Sequence, residues 1–231
     1  MTAAPQMSPL RLVVCGTDTD VGKTVVSALL VQGLGARYWK PVQSGCEDGG
    51  DSGRLQRLLR LPDSRILPEA YRLAEPVSPH WAAERQGVSI EPERLALPAG
   101  PGALVVETAG GLLVPLRRDW LQIDQLQSWR LPVVLVGRSG LGTLNHTLLS
   151  VQALRHRGIP LLGLVLNGPI HPDNPRTLSQ LSGVPVLAEL PPLEPLCAEG
   201  LAAQWHSQKL SSKFSTWLDG PLAPIQHQPP A

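Results

Sequence analysis

Four short apolar runs, Leu10 to Cys15, Ala103 to Glu107, Pro132 to Val136 and Leu161 to Leu166, recur along the chain with helix-length segments between them. Strands of a parallel sheet covered by helices on both faces read as continuous apolar runs rather than alternating ones. Helices are expected over Lys23 to Leu34, Asp51 to Leu61, Leu144 to Arg157 and Gly200 to Leu218. This order predicts an α/β fold: a doubly wound, mostly parallel sheet with helices on both faces. A chain of 231 residues suits one domain with a sizeable core, here expected over 10–218. Residues 1–9 read as a disordered extension. The proline-rich 219–231 reads as a disordered tail, with too little apolar surface to offset its ordering entropy. Pro62 to Pro101, rich in proline and charge, reads as a loop-dominated excursion between strands.

Between the first apolar run and the first helix lies Gly16-Thr17-Asp18-Thr19-Asp20-Val21-Gly22-Lys23-Thr24. A glycine-rich turn entering a helix aims backbone N–H groups at one point, and the helix dipole adds positive charge there, so the turn suits a phosphate. Lys23 is placed to reach the β- and γ-phosphates of a nucleotide, and the Thr24 hydroxyl to ligate a bridging Mg²⁺. The loop carries one residue more between its glycines than the usual G-x-x-x-x-G-K-[ST], which makes it a longer variant of the P-loop NTPase turn. Mg²⁺ takes octahedral oxygen ligation with one or two protein carboxylates, and Asp51 and Glu107 are the candidates. Glu107 stands at the carboxyl end of a strand, the edge at which open α/β sheets bind ligands. Asp51 fits a helix cap as well as a metal ligand.

Composition narrows the partners. The formal net charge is +1 and charged residues make up 17% of the chain, so no electrostatic surplus points to nucleic acid or an anionic membrane. The longest apolar stretch falls far short of the roughly 20 residues that span a bilayer. Residues 1–9 lack the basic and apolar segments of a signal peptide, which points to the cytoplasm. Three scattered cysteines, Cys15, Cys46 and Cys197, form no CxxC pair and read as reduced thiols.

With the loop in hand, Lys40-Pro41-Val42-Gln43-Ser44-Gly45, Asp51, Glu75-Pro76-Val77-Ser78-Pro79-His80, Glu107-Thr108-Ala109-Gly110-Gly111, Leu144-Asn145-His146 and Leu166-Asn167 follow in order. Taken alone, Lys40 reads as a surface lysine ending a strand and Ser44 as a turn residue. As an ordered set, over about residues 10 to 200, these stretches resemble the dethiobiotin synthetase family. The resemblance implies capture of CO₂ by 7,8-diaminopelargonic acid as a carbamate, its phosphorylation by ATP, and ring closure to dethiobiotin with release of ADP and phosphate. It assigns catalysis to Lys40 and Lys23, and the metal to Thr24, Asp51 and Glu107. ATP contacts are implied for Asp20, Val21, Gly22, Lys23, Thr24 and Val25, for Asp51, and for Glu107, Thr108, Ala109 and Gly110. Adenine is assigned to Asn167 with Gly168, and to Pro191, Pro192 and Leu193; Glu194 and Glu199 both stand near the family's further acidic position. Ser44, Thr17, Gly142, Thr143 and Asn145 are implied for the second substrate. A homodimer is implied too, in which 140–146 serves the neighbouring chain's site.

Thr108 departs from the family, where glycine is more usual; its Cβ and hydroxyl are expected close to the phosphates. Replacing Lys40 by alanine is expected to end turnover with the fold intact. Partitioning and cell-division ATPases share the expected fold, but they carry an early loop lysine where this chain has Asp18. Amidotransferases of the corrinoid type continue into a glutaminase domain for which no room remains. A module that binds nucleotide without chemistry has no need of Lys23, Thr24, Lys40 and Glu107 together.

Overall fold

The computed structural model describes residues 10–218, so the extension 1–9 and the tail 219–231 lie outside the described residues. Its strands are β1 (Arg11–Gly16), β2 (Arg37–Trp39), β3 (Val42–Ser44), β4 (Ile66–Leu67), β5 (Tyr71–Leu73), β6 (Leu104–Gly111), β7 (Pro115–Arg117), β8 (Trp120–Leu121), β9 (Val133–Arg138), β10 (Leu161–Asn167) and β11 (Val186–Leu190). Its helices are α1 (Lys23–Gly33), α2 (Gly50–Leu59), α3 (Pro79–Arg85), α4 (Gln122–Trp129), α5 (Thr143–His156), α6 (Asn174–Ser182), α7 (Ala198–Ser207) and α8 (Leu210–Leu218). Seven strands form one parallel sheet in the order β11-β10-β9-β1-β6-β2-β4. The expected strands at its centre are present.

Alternation within each strand splits the core in two. Val13, Leu104, Val106, Val133 and Leu135 face one side with Ile123, Leu126, Val151, Leu154 and Leu178 of α4, α5 and α6. Leu12, Val14, Val105, Val134 and Val136 face the other with Val26, Leu29, Leu30, Leu55 and Leu201 of α1, α2 and α7. Each fully buried leucine removed from water contributes roughly 1.5–3 kcal/mol, which is why the two-sided sheet is the framework that holds everything else.

Beside the unexpected short strands β2, β3, β7 and β8 and the helices α4 and α6, three further features depart from the expected elements. The excursion 62–101 contains β4, β5 and α3, and β5 pairs with β3 in a small second sheet. The single helix expected over Gly200 to Leu218 is two, α7 and α8, with Lys209 at φ 53° between them. That turn folds α8 back so that Trp205 stacks on Phe214, ring centroids 5.9 Å apart. The third is the edge strand β11. There the Gln208 amide accepts from the Glu189 N–H at 2.9 Å and donates to the Glu189 carbonyl at 2.7 Å, while the Lys213 ammonium donates to the Leu187 carbonyl.

Gly33, at the end of α1, gives a test of the packing between α1 and α7. Alanine normally stabilises a helix interior relative to glycine by about 1 kcal/mol. Here a Cβ would lie 2.2 Å from the buried Trp205 ring. Gly33→Ala is therefore expected to destabilise, by about 1–3 kcal/mol; a raised urea midpoint would contradict the packing described.

Candidate active site

β1 occupies the middle of the sheet, between β6 and β9, so the loop that follows it emerges at the sheet's carboxyl edge. The loop turns on left-handed residues, Asp20 at φ 55° and Gly22 at φ 95°. Gly22 is needed twice over: for its backbone angle, and because any Cβ there would lie 2.1 Å from the Asn167 amide nitrogen. The same amide donates to the Val21 carbonyl at 3.2 Å, tying the end of β10 to the loop. Arg138, at the end of β9, donates to the Thr19 carbonyl at 3.0 Å and braces the loop from the other side. Lys23 is buried and its Nζ donates to the Asp18 carbonyl at 2.8 Å, so its ammonium lies folded over the loop. Burial and then the neighbouring Lys40 charge hold its pKa below the ordinary lysine value, against the pull of Glu107.

Glu107 is placed by the register of β6. Val14 pairs with Glu107, but Gly16 pairs with Gly111, so β6 bulges over Thr108-Ala109-Gly110 immediately after the acid. The carboxylate projects from the last regular position of the strand and is 1% exposed. A buried carboxylate needs donors for its oxygens. Oε1 accepts from the Thr24 hydroxyl at 2.9 Å and from Lys40 Nζ at 3.1 Å; Oε2 accepts from the Tyr38 hydroxyl at 2.9 Å.

Lys40 follows β2, the next strand across, and its ammonium bridges Glu107 and Asp51. Asp51 reaches it because Asp48, Gly49 and Gly50 have φ of 53°, 82° and 62°, a left-handed run that swings α2 into place. Asp51 does not cap that helix with its side chain. Instead the buried Gln43 accepts from the Asp51 backbone N–H at 3.0 Å and donates to the Ser44 and Gly45 carbonyls, clasping the turn to β3. Burial raises the Asp51 carboxyl's pKa, but the Lys40 charge and hydrogen bond, with help from Arg54 and Thr24, overcome it and leave the pKa below 3.8. Burial likewise works to discharge Lys40, and its two carboxylates win, raising it above 10.5.

A cleft of about 750 Å³ opens over this network. Asp20, Gly22, Lys23, Thr24 and Val25 of the loop and α1 line it, together with Lys40, Ser44, Asp51 and Arg54 and with Glu107, Ala109 and Gly110 of β6. Ser44 Oγ is buried without a protein partner. Thr24, Asp51 and Glu107 offer one hydroxyl and two carboxylates around a single point, with no imidazole or thiol in the set. Such a donor set fits Mg²⁺, which completes its shell with phosphate oxygens and water.

The other sequence-predicted residues lie outside the cleft. Val21 is buried in the core beneath the loop, and Thr17 is held by its backbone bond to Val136. Thr108 is fully buried, absent from the cleft wall, and its hydroxyl has no hydrogen-bond partner. The expectation of a threonine crowding the phosphates is thereby corrected: the bulged strand carries that side chain inside. Asn167, Gly168, Pro191, Pro192 and Leu193 gather where β10 and β11 end side by side, with the Gly168 N–H donating to the Leu190 carbonyl. Gly142, Thr143 and Asn145 open α5; the Thr143 hydroxyl is buried against Thr147, while Asn145 is exposed. Sequence reasoning missed Tyr38, Gln43, Arg54 and Arg138 as neighbours of the site. Only Gln43, inside the quoted KPVQSG run, carried a local signal.

A family model described as an AAA domain matches residues 10–200. A relative from Rhodopseudomonas palustris (strain HaA2), named ATP-dependent dethiobiotin synthetase, is 55% identical over 192 residues, covering 83% of this chain and 90% of that one. The chain belongs to the dethiobiotin synthetase family. A synthetase of the same name from Brucella ovis is 50% identical over 191 residues, again covering 83% and 90%. Among solved structures, the cell-division ATPase MinD of Pyrococcus furiosus aligns with a TM-score of 0.56 at 18% identity, over 90% of this chain and 99% of that one. A ParA family ATPase from Chlorobium tepidum gives 0.53 at 12%, over 92% and 98%. These two likenesses show the fold, a P-loop NTPase-like sheet, while the synthetases show the family.

The buried Lys40 also corrects the expectation that its removal spares the fold. Asp51, with a lowered pKa, contributes stability above about pH 3.8 that is lost as pH falls through its folded value. Lys40, with a raised pKa, contributes stability below about pH 10.5 that is lost as pH rises through its folded value. Lys40→Met strands Glu107 as an unpaired buried charge and is expected to cost about 3–5 kcal/mol at pH 7. Urea melts at pH 3 and 7 check this; the difference between variant and parent should shrink at pH 3, and equal midpoints at pH 7 would refute it.

Proposed function

We propose that this chain synthesises dethiobiotin from 7,8-diaminopelargonic acid, CO₂ and ATP, using the cleft over β1 and β6 as its active site. The observation that carries the reading is the Lys40 ammonium, buried between Glu107 and Asp51 and lining the same cleft as Lys23 and the phosphate loop. One amine of the substrate attacks CO₂ and loses a proton, giving a carbamate. A carbamate oxygen attacks the γ-phosphorus of ATP and ADP leaves. The second amine attacks the carbonyl of the resulting carbamic–phosphoric anhydride, phosphate leaves, and the ureido ring closes.

The chain's own groups meet the demands of each step. Lys23 and the loop N–H groups bind the β- and γ-phosphate oxygens, and Lys40 turns its ammonium toward the carbamate and the transferring phosphoryl group. Phosphoryl transfer asks the protein chiefly for position and for charge that matches the transition state, and two ammonium groups in a partly enclosed cleft supply both. Ser44 Oγ, buried and without a protein partner, donates to the carbamate. Thr24, Asp51 and Glu107 hold Mg²⁺, which when bound neutralises charge on the phosphate oxygens. Asn167, with Pro191 to Leu193, receives the adenine.

The exposed start of α5 extends the proposal to a homodimer. Leu141 is fully exposed and Leu149 is 57% exposed there, an apolar surface beside Gly142, Thr143 and Asn145. In the dimer this segment receives the diamine's carboxylate in the neighbouring chain's site. Among the described residues no helix is long and apolar enough to cross a membrane, in keeping with a cytoplasmic biosynthetic role.

The test is release of ADP that requires the diamine and bicarbonate together, with dethiobiotin identified by mass; ADP release indifferent to the diamine would reject the assignment. Lys40→Met is expected to lower kcat roughly 10²–10³-fold. Thr24→Val is expected to weaken Mg²⁺-nucleotide binding, and calorimetry finding unchanged affinity would remove Thr24 from the metal site. Sedimentation velocity should give the mass of two chains.

A further inference from the structure

We propose that Tyr38 is a positioning residue for the metal-binding carboxylate, fixing Glu107 so that Oε1 faces Thr24 and Lys40. The inference rests on the reading of Glu107 as a Mg²⁺ ligand. Both groups are buried, Tyr38 fully and Glu107 with 1% exposed in the cleft, so the placement of the carboxylate rests on its protein donors. Thr24 and Lys40 both approach Oε1. Oε2 has the Tyr38 hydroxyl at 2.9 Å. A carboxylate whose donors all lay on one oxygen could rotate about its terminal torsion, which is broad and nearly two-fold. The phenol on the second oxygen removes that freedom, because it comes from a different strand.

The register makes the contact rigid. β2 pairs with β6 in parallel, Tyr38 opposite Val105 and Trp39 opposite Val106. The phenol therefore spans from β2 toward the strand's carboxyl end, while Lys40, two residues on, approaches the same carboxylate from the cleft side. Two side chains of one short strand segment thus take the two oxygens of one acid. Partners that orient a ligating carboxylate from behind tune metal affinity about 10–100-fold.

The experiment uses the full chain with Tyr38→Phe, which keeps the ring and removes one hydroxyl. Calorimetry measures ADP binding in EDTA and again along a Mg²⁺ titration. The expected result is a Mg²⁺ midpoint raised about ten-fold, with ADP affinity in EDTA within two-fold of the parent. An unchanged midpoint overturns the proposal. So does an equal loss of affinity with and without Mg²⁺, which marks a merely structural tyrosine.

A second measurement leaves Tyr38 in place. The chain has two tyrosines, Tyr38 and Tyr71, so a 3-fluorotyrosine-labelled protein gives two fluorine resonances, assigned with Tyr71→Phe. Adding Mg²⁺ to the ADP-saturated protein should shift the Tyr38 resonance, and a resonance that stays in place overturns the proposal. Failure of either test leaves dethiobiotin formation by the parent untouched, whereas failure of the parent to form dethiobiotin leaves Tyr38 without a role to support.

Discussion

The interaction on which the site depends is the burial of one ammonium between two carboxylates. Lys40, Asp51 and Glu107 come from three separate segments, and each would be costly in that place without the others. Their mutual need joins β2, α2 and β6 at one point on the sheet's carboxyl edge, so the geometry proposed for phosphoryl transfer is also the geometry the fold must keep. The central sheet supplies the rigidity, with strands buried on both faces and helices packed against each. The left-handed run Asp48 to Gly50 and the clasp made by Gln43 supply the last correction, turning α2 so that its acid meets the lysine.

The strands at the middle of the sheet were legible because burial on both faces demands unbroken apolar runs, and β1, β6, β9 and β10 have them. Elements at the margin were not. β2 is three residues long and β4 two, too short for any periodicity; β2 is a strand only because β6 offers it a register, and β4 only because β2 does. The break between α7 and α8 was hidden for a different reason: Lys209 adopts a left-handed angle without glycine or proline to announce it, held there by Trp205 stacking on Phe214.

At the site, the loop residues were legible from local chemistry, since Gly22, Lys23 and Thr24 lie together in a single turn. Lys40, Ser44 and Asp51 emerged through resemblance, because what joins them is tertiary. Tyr38 was invisible either way. An aromatic residue in a strand reads as packing, and only the pairing of β2 with β6 shows its hydroxyl meeting Glu107. Thr108 illustrates the reverse: its place in the sequence suggests intrusion on the phosphates, and a bulge of β6 after Glu107 takes it into the interior.

The treatment of β11 has a consequence for the molecule in crowded solution. A parallel sheet that ends in an open strand offers its backbone as a template to any other chain. Here Gln208 imitates the donor and acceptor of a neighbouring strand at Glu189, and Lys213 occupies the carbonyl of Leu187. At the opposite margin β4 is only two residues long. Neither border can recruit a further strand without evicting a side chain or lengthening a stub, so the seven-stranded sheet is shielded at both margins against edge-to-edge growth.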